Sequence, residues 1–137
     1  MTAKNPATFA KVVSQQLPGT WATGTDEGAA IDTQGWRYAL VILHAGTATA
    51  TGTATVTVEE CATSGGSYTA ISNAAFAVVN AANEEALFAG IIDLHKTERY
   101  IHVQAVVATD TVDLSTSVVL MQPEVGGLTF GTAAFDV

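Results

Sequence analysis

Threonine alternates with alanine or valine almost without interruption over residues 47–60, which read TATATGTATVTVEE. An alternation of period two gives each face of a β-strand its own residue type, because successive side chains point to opposite faces. β-Branched threonine favours strands, and its hydroxyl suits a solvated sheet face. Gly52 interrupts the run and predicts a turn or bulge. This segment therefore predicts β-structure with one polar face.

Other segments carry strand patterns of their own, separated by glycine-rich or polar turns. Residues 36–44 are apolar on both faces, which predicts a central strand. Residues 80–85 contain helix-forming residues, but we interpret them as a connection between two short strands. Asp110 and Thr111 predict a tight hairpin turn. The predicted strands cover residues 36–44, 47–60, 68–71, 74–79, 86–93, 99–108 and 112–122.

Short strands with frequent turn signals and no convincing long helix predict an all-β fold, an antiparallel β-sandwich or jelly-roll-like single domain. The chain has 137 residues, about the length of one domain. We expect the sandwich to span residues 31–123, with an N-terminal arm or loop at 1–30 and an extended tail at 124–137. The expected core residues are Trp36, Leu40, Ile42, Val56, Val58, Ile101, Val103 and Val119.

The net charge of −8, from 13 acidic and 5 basic residues, bears on the kinds of partner. Nucleic-acid binding and attachment to anionic membranes depend on lysine and arginine, so we expect neither a nucleic acid nor a membrane as partner. The charge also keeps copies of the chain apart and soluble.

The single cysteine, Cys61, allows no disulfide within the chain and fits a reducing compartment. The N-terminal segment lacks the apolar core of a secretory signal. The longest apolar run, residues 39–43, is far too short for a membrane helix. We therefore expect synthesis in the cytoplasm.

No catalytic or cofactor-binding motif is present, so we expect no enzyme, no cofactor and no metal. The spacing of His44, His95 and His102 matches no compact metal motif, although His44 and His102 would meet if their strands paired. Cys61 follows two glutamates, whose charge disfavours a thiolate, and this argues against a nucleophile.

The acidic residues offer three weak possibilities for chemistry. Neither Glu59 with Glu60 nor Glu84 with Glu85 forms a carboxylate pair by itself, because adjacent strand residues point to opposite faces. Hairpin acids such as Asp110 and Asp113 bind turn amides more often than Ca²⁺. Solvated charges explain all three groups more simply.

Five aromatic residues raise the alternative of a sugar-binding platform. Trp36 and Tyr38 share one strand face, which favours ring stacking on a carbohydrate, while a cluster under a sheet is the simpler interpretation. The five residues are Trp21, Trp36, Tyr38, Tyr68 and Tyr100.

The order of several short motifs resembles that of small β-structured virion proteins encoded beside the major capsid protein of tailed bacteriophages. These motifs are IDTQG at 31–35, VTVEE at 56–60, SGGSYTAI at 64–71, RYIHV at 99–103 and the proline at 123. Members of this family are described as head decoration or cement proteins. The likeness covers residues 31–123, and nothing matches before or after them.

The resemblance implies a structural protein on the capsid surface of a virion, with the major capsid protein as its partner. It also implies a homo-oligomer, a homotrimer being favoured over a homodimer because local threefold positions are common decoration sites. Apolar residues in the terminal segments are the expected assembly contacts, since exposed tails are ordinarily polar. They are Phe9, Val12, Leu17, Leu128, Phe130 and Phe135.

Three other functions remain open from the sequence. The first is another phage structural component, such as a neck, head-completion or tail-tube protein, because these use similar sandwiches. The second is a carbohydrate-binding module built on Trp36 and Tyr38. The third is a small hydrolase that uses Glu59 or Asp113, which no motif supports.

Overall fold

The computed structural model describes residues 10–121 and 135–137, which form two β-sheets packed face to face. The expected all-β sandwich is confirmed, whereas a jelly-roll arrangement of it is not. The strands are β1 (Ala10–Ser14), β2 (Gly19–Trp21), β3 (Gly24–Glu27), β4 (Ile31–Asp32), β5 (Tyr38–Ala48), β6 (Thr53–Cys61), β7 (Thr69–Ala75), β8 (Ala86–Asp93), β9 (Tyr100–Ala108), β10 (Val112–Met121) and β11 (Phe135–Asp136). A 3₁₀ turn, Leu94–Lys96, follows β8.

Sheet A has the strand order β1-β10-β5-β8-β11, and β2 also pairs with β10. Sheet B has the order β3-β9-β6-β7, and β4 also pairs with β9. The pairs are antiparallel except for β11, which runs parallel to β8. The polypeptide changes sheet between β2 and β3, between β4 and β5, between β5 and β6, and at each connection from β7 to β10.

One of these crossings is the turn expected at Asp110 and Thr111. The turn is tight, with Thr109 at a φ of 71°, and the amide of Asp110 bonds the carbonyl of Ala108 at 2.8 Å. However, it does not close a hairpin, because β9 lies in sheet B and β10 in sheet A. The turn therefore joins the two layers of the sandwich.

The first described residues belong to the sandwich itself. The structure corrects the expected N-terminal arm or loop: three strands, β1 to β3, form between residues 10 and 27 and lie in both sheets. The segment is poor in apolar residues, but strand pairing uses backbone groups that every residue except proline provides. Its incorporation depends on the exposed backbone edges of β9 and β10, which lie far along the chain.

The core lies between the inner faces of the two sheets. Val56, Val58, Ile101 and Val103 are fully buried, as expected. Trp36 is partly buried and packs against this core. The expectation is wrong for three other residues, which lie on the outer face of sheet A and are only partly buried: Leu40, Ile42 and Val119. On β5 the opposite residues Ala39, Val41, Leu43 and Ala45 face the core.

The physical reason for this correction is the apolar character of both faces of β5. A strand that is apolar on both sides contains no local signal for the side that turns inward, and a shift of one residue exchanges the faces. Register with β8 and β10 settles the choice, because Leu43 is aligned with Phe88 and Thr116.

Among the described residues, no helix is long and apolar enough to cross a membrane.

Candidate functional site

The outer face of sheet A carries an apolar row that runs across four strands. Val12 of β1 is aligned with Val119 of β10, Val119 with Leu40 of β5, and Leu40 with Ile91 of β8. Aligned residues of neighbouring strands place their side chains on the same face. The four side chains therefore form a continuous band across the sheet, on the side away from sheet B.

The neighbouring rows extend this apolar band on both sides. Met121 is aligned with Tyr38 on one side, and Ile42 with Ala89 on the other. We call this set of residues the outer apolar face: Val12, Tyr38, Leu40, Ile42, Ala89, Ile91, Val119 and Met121. Each of them is partly or largely exposed, and Val12 is 70% exposed.

Among the described residues, ionisable residues border this surface: Asp93 ends the row of Tyr38, Asp136 of β11 is aligned with Ile91, and His44 lies one row beyond Ile42. Asp93 is aligned with Tyr38, and its carboxylate lies 3.3 Å from Nε of Arg37. At the opposite end, His44 is aligned with Leu87, which is 61% exposed. An apolar surface bounded by polar groups is typical of a site of protein association, since monomeric proteins rarely expose contiguous patches of this kind.

The expected assembly contacts fall into three groups in the structure. Val12 and Leu17 are among the most exposed large apolar residues of the described chain. Phe9, Leu128 and Phe130 lie outside the described residues. The structure corrects the expectation for Phe135.

Phe135 is buried in the core of its own chain. The ring centroid of Phe135 lies 4.8 Å from that of Phe76, and Phe135 is aligned with Gly90 of β8. A large apolar residue near a chain end can complete its own fold as readily as it binds a neighbour, and sequence position alone does not distinguish the two.

The three histidines do not meet. His44 lies in sheet A, His95 in the 3₁₀ turn and His102 on β9 of sheet B. The strands of His44 and His102 belong to different sheets, so the pairing that would have joined them does not occur. Cys61, which is partly buried, has its Sγ 4.0 Å from the hydroxyl of Thr63.

The acidic residues bind groups of the protein itself. Glu59 contacts His102, whereas Glu60 accepts a hydrogen bond from the amide of Glu98 at 2.8 Å, so the two point apart as expected of strand neighbours. Glu84 accepts from the amide of Ala48 at 2.5 Å.

The two acids near the turn between β9 and β10 also have protein partners. Asp110 accepts a hydrogen bond from the amide of Thr111 at 2.8 Å. Asp113 accepts from the hydroxyl of Thr20 at 2.5 Å. The contact of Asp110 stabilises the turn, and the contact of Asp113 links two strands. Neither contact brings several oxygen ligands together, as a Ca²⁺ site requires.

The aromatic residues are divided between the two sheets and do not form a single platform. Trp21 and Trp36 pack against the core, and Tyr38 lies on the outer face of sheet A. Tyr68 instead stacks on His102 of sheet B.

One end of the sandwich has a groove of about 480 Å³ between the 3₁₀ turn and the segment before β5. Arg99 lies in its wall and makes a bidentate contact with Asp32, at 3.0 Å from Nε and 2.8 Å from Nη2. This contact lowers the pKa of Asp32 to about 2, with a second contribution from the amide of Gln34. Because Arg99 is already paired, it has less capacity to bind an anion.

Comparison of the chain with protein-family models, with curated proteins and with solved structures gives no match.

Proposed function

We propose that this chain is a structural virion protein of a tailed bacteriophage. It binds the outside of the capsid and stabilises it, as a decoration or cement protein, and it does so without catalysis. The single observation that carries the proposal is the outer apolar face, which offers Val12, Val119, Leu40 and Ile91 in one row. Its partner on this face is the major capsid protein.

The energetics of the outer apolar face support docking. Removal of apolar surface from water contributes about 25 cal/mol per Å², and a sheet face gives a broad area with little side-chain entropy to lose because β-branched residues are stiff. The chain carries a net charge of −8, which makes close approach of other acidic surfaces unfavourable. From β1 to β8 the central row consists of apolar residues only, so docking on it avoids the cost of burying a charge.

Self-association in this proposal uses the backbone edge of β1, which borders the outer apolar face. β1 is an edge strand of sheet A among the described residues, and its exposed Val12 lies beside backbone groups that can pair with a second copy. A homotrimer is favoured, with a homodimer as the alternative. The protein is made in the host cytoplasm and ends on the capsid surface.

A neck, head-completion or tail-tube protein is the second candidate function, because the same outer apolar face can serve as a subunit interface in those assemblies. The division of the aromatic residues between two sheets gives the carbohydrate-binding alternative no support. Glu59 and Asp113, the residues considered for a hydrolase, each contact a protein group and lie on different sheets.

The test compares two matched valines, one on the outer face of each sheet. Val119→Asp places a charge within the outer apolar face, and Val106→Asp places the same charge on β9, where Val106 is also partly buried and aligned with Thr55. Capsids assembled from the major capsid protein of the phage that encodes this chain are sedimented with each purified variant. Circular dichroism confirms that both variants fold.

We expect the wild-type protein and Val106→Asp to sediment with the capsids, and Val119→Asp to remain in the supernatant. Wild-type occupancy by a folded Val119→Asp protein would contradict the docking surface. No sedimentation of the wild-type protein would contradict the decoration function itself, and assembly into rods under the same conditions would favour a tail-tube protein.

A further inference from the structure

Three ionisable side chains from three strands meet on the outer face of sheet B. Glu27 is at the end of β3, His102 is on the central β9, and Glu59 is on β6. Glu59 is aligned with His102, and Glu27 is aligned with Gln104, which is on the same face as His102. One ligand atom of each lies within 4.8 Å of the other two.

The imidazole of His102 is held in place on two sides. Its Nε2 lies 3.0 Å from Oε2 of Glu59, and the ring of Tyr68 stacks on it at a centroid distance of 4.0 Å and an interplanar angle of 11°. The His102 side chain is only 4% exposed and that of Glu59 only 12%. Tyr68 is itself fixed by a hydrogen bond from its hydroxyl to the carbonyl of Ser64, at 3.0 Å.

The charges of this cluster are not balanced by lysine or arginine in the described part of the chain. The two arginines of that part pair elsewhere, Arg37 with Asp93 and Arg99 with Asp32. The Glu27 carboxylate accepts one hydrogen bond within the described residues, from the uncharged side-chain amide of Gln104 at 3.4 Å. Two carboxylates therefore converge on one imidazole, so a cation bound between them would offset their mutual repulsion.

We propose that Glu27, Glu59 and His102 form a binding site for a divalent transition-metal ion, with Zn²⁺ as the best fit. Imidazole nitrogen and carboxylate oxygen are both zinc ligands, and three protein ligands leave a fourth position for water. Ca²⁺ and Mg²⁺ fit less well, because they prefer oxygen ligands alone. The ion would link three neighbouring strands and fix the short edge strand β3 to sheet B.

The proposed metal site is independent of the decoration function, and it departs from the sequence-based expectation of no metal. The three ligands are widely separated in the chain and match no linear motif. The register of three strands brings them together, and the sequence alone does not contain that register.

The test is calorimetric titration of the full-length protein with ZnCl₂ after treatment with a chelator, for the wild type and four variants. Glu27→Gln and His102→Gln each remove one ligand, and the matched controls Glu98→Gln and His44→Gln change exposed residues outside the site. We expect one Zn²⁺ per wild-type chain and unchanged binding in both controls. Loss of a residue that hydrogen-bonds a metal ligand costs about 10–100-fold in affinity, so loss of a ligand itself should cost at least tenfold.

Two further measurements identify the ligands. Cys61→Ser should still bind Zn²⁺, because the thiol is not among the three proposed ligands, and the NMR signals of the His102 ring should shift in the bound wild-type protein.

Glu27 is exposed, so Glu27→Gln is expected to fold. This variant therefore decides the outcome if His102→Gln fails to fold. The absence of stoichiometric binding to the wild type would overturn the proposal. Unchanged binding by Glu27→Gln, or loss of binding in Cys61→Ser, would also overturn it.

Discussion

The side-chain amide of Gln16 donates a hydrogen bond to the main-chain carbonyl of Val103, 3.0 Å away, from a position with no exposed surface. The same nitrogen donates to a carboxylate oxygen of Asp26 at 2.9 Å. On the other side, the main-chain amide of Gln16 donates to the hydroxyl of Thr116 at 3.1 Å. That hydroxyl in turn donates to the side-chain Oε1 of Gln16. Val103 and Asp26 belong to sheet B and Thr116 to sheet A, so Gln16 joins the two layers.

Replacement of Gln16 by an apolar residue should destabilise the fold, although apolar residues are ordinarily favoured at buried positions. In Gln16→Leu the hydroxyl of Thr116 loses its acceptor and the carboxylate of Asp26 loses a donor, whereas the carbonyl of Val103 keeps the main-chain amide of Gly28. Each unsatisfied group costs about 1–3 kcal/mol. We expect the free energy of unfolding in urea to fall by about 2–4 kcal/mol in total. The control is Gln34→Leu, at an exposed position whose side chain forms no hydrogen bond among the described residues. Equal stability of the two variants would contradict the role of Gln16.

The two faces of β5 should respond differently to the same truncation. Leu43 is fully buried, so Leu43→Ala should lower the free energy of unfolding by about 2–5 kcal/mol. Leu40 lies on the outer apolar face and is partly exposed, so Leu40→Ala should cost about 1 kcal/mol or less. Thermal or urea unfolding of both variants measures the difference. A larger loss for Leu40→Ala would mean that β5 faces the other way.

Gly90 should tolerate no side chain, because Phe135 fills the space above it. A methyl group at this position would overlap the Phe135 ring, whereas nothing lies within 4 Å of the same group built at Gly65. Overpacking of this kind costs about 1–3 kcal/mol. We expect Gly90→Ala to lower the melting temperature and Gly65→Ala to leave it nearly unchanged. An unaffected Gly90→Ala protein would show that Phe135 does not pack on β8.

The contact between Asp32 and Arg99 predicts a titration at low pH. The hydrogen bonds from Arg99 and from the amide of Gln34 lower the pKa of the Asp32 carboxyl from 3.8 to about 2 in the folded state. A lowered folded-state pKa contributes stability that is present above pH 3.8 and is lost as the pH falls through about 2. The contribution is small, because the pair is exposed to solvent.

NMR titration of the Asp32 carboxyl carbon measures this effect directly. Arg99→Gln should raise the pKa of Asp32 toward 3.8, and the control Arg37→Gln should leave it near 2, because Arg37 pairs with Asp93 instead. The same pKa for Asp32 in the wild type and in Arg99→Gln would refute the assignment of the shift to Arg99.

Local pattern was enough to locate most of the long strands. The strand expected at 86–93 is β8, Ala86–Asp93, and the one expected at 99–108 is β9, Tyr100–Ala108. Both predictions rest on alternation and on flanking turn residues, which are signals carried by a few neighbouring residues in the chain. The residues before β4 carry no such pattern, and their strands depend on partners that are distant in sequence.

The candidate sites were harder to predict for the same reason. The apolar character of Leu40 and Ile42 was visible, but a strand with two apolar faces predicts burial of both, and a two-layer sandwich covers only one face of each sheet. The meeting of Glu27, Glu59 and His102 had no signal in their spacing. Only an explicit hypothesis of strand order, with β9 between β3 and β6, would have brought them together.

The sequence by itself determined that this chain is an acidic, all-β protein with short strands and frequent turns, because period-two alternation and turn chemistry are local properties. The tertiary structure decided which face of β5 meets the core, that Phe135 packs on its own sheet, and that Gln16 joins the two layers. Each of these depends on register and packing between distant segments. A one-residue shift of register would reverse the faces without any change in local pattern.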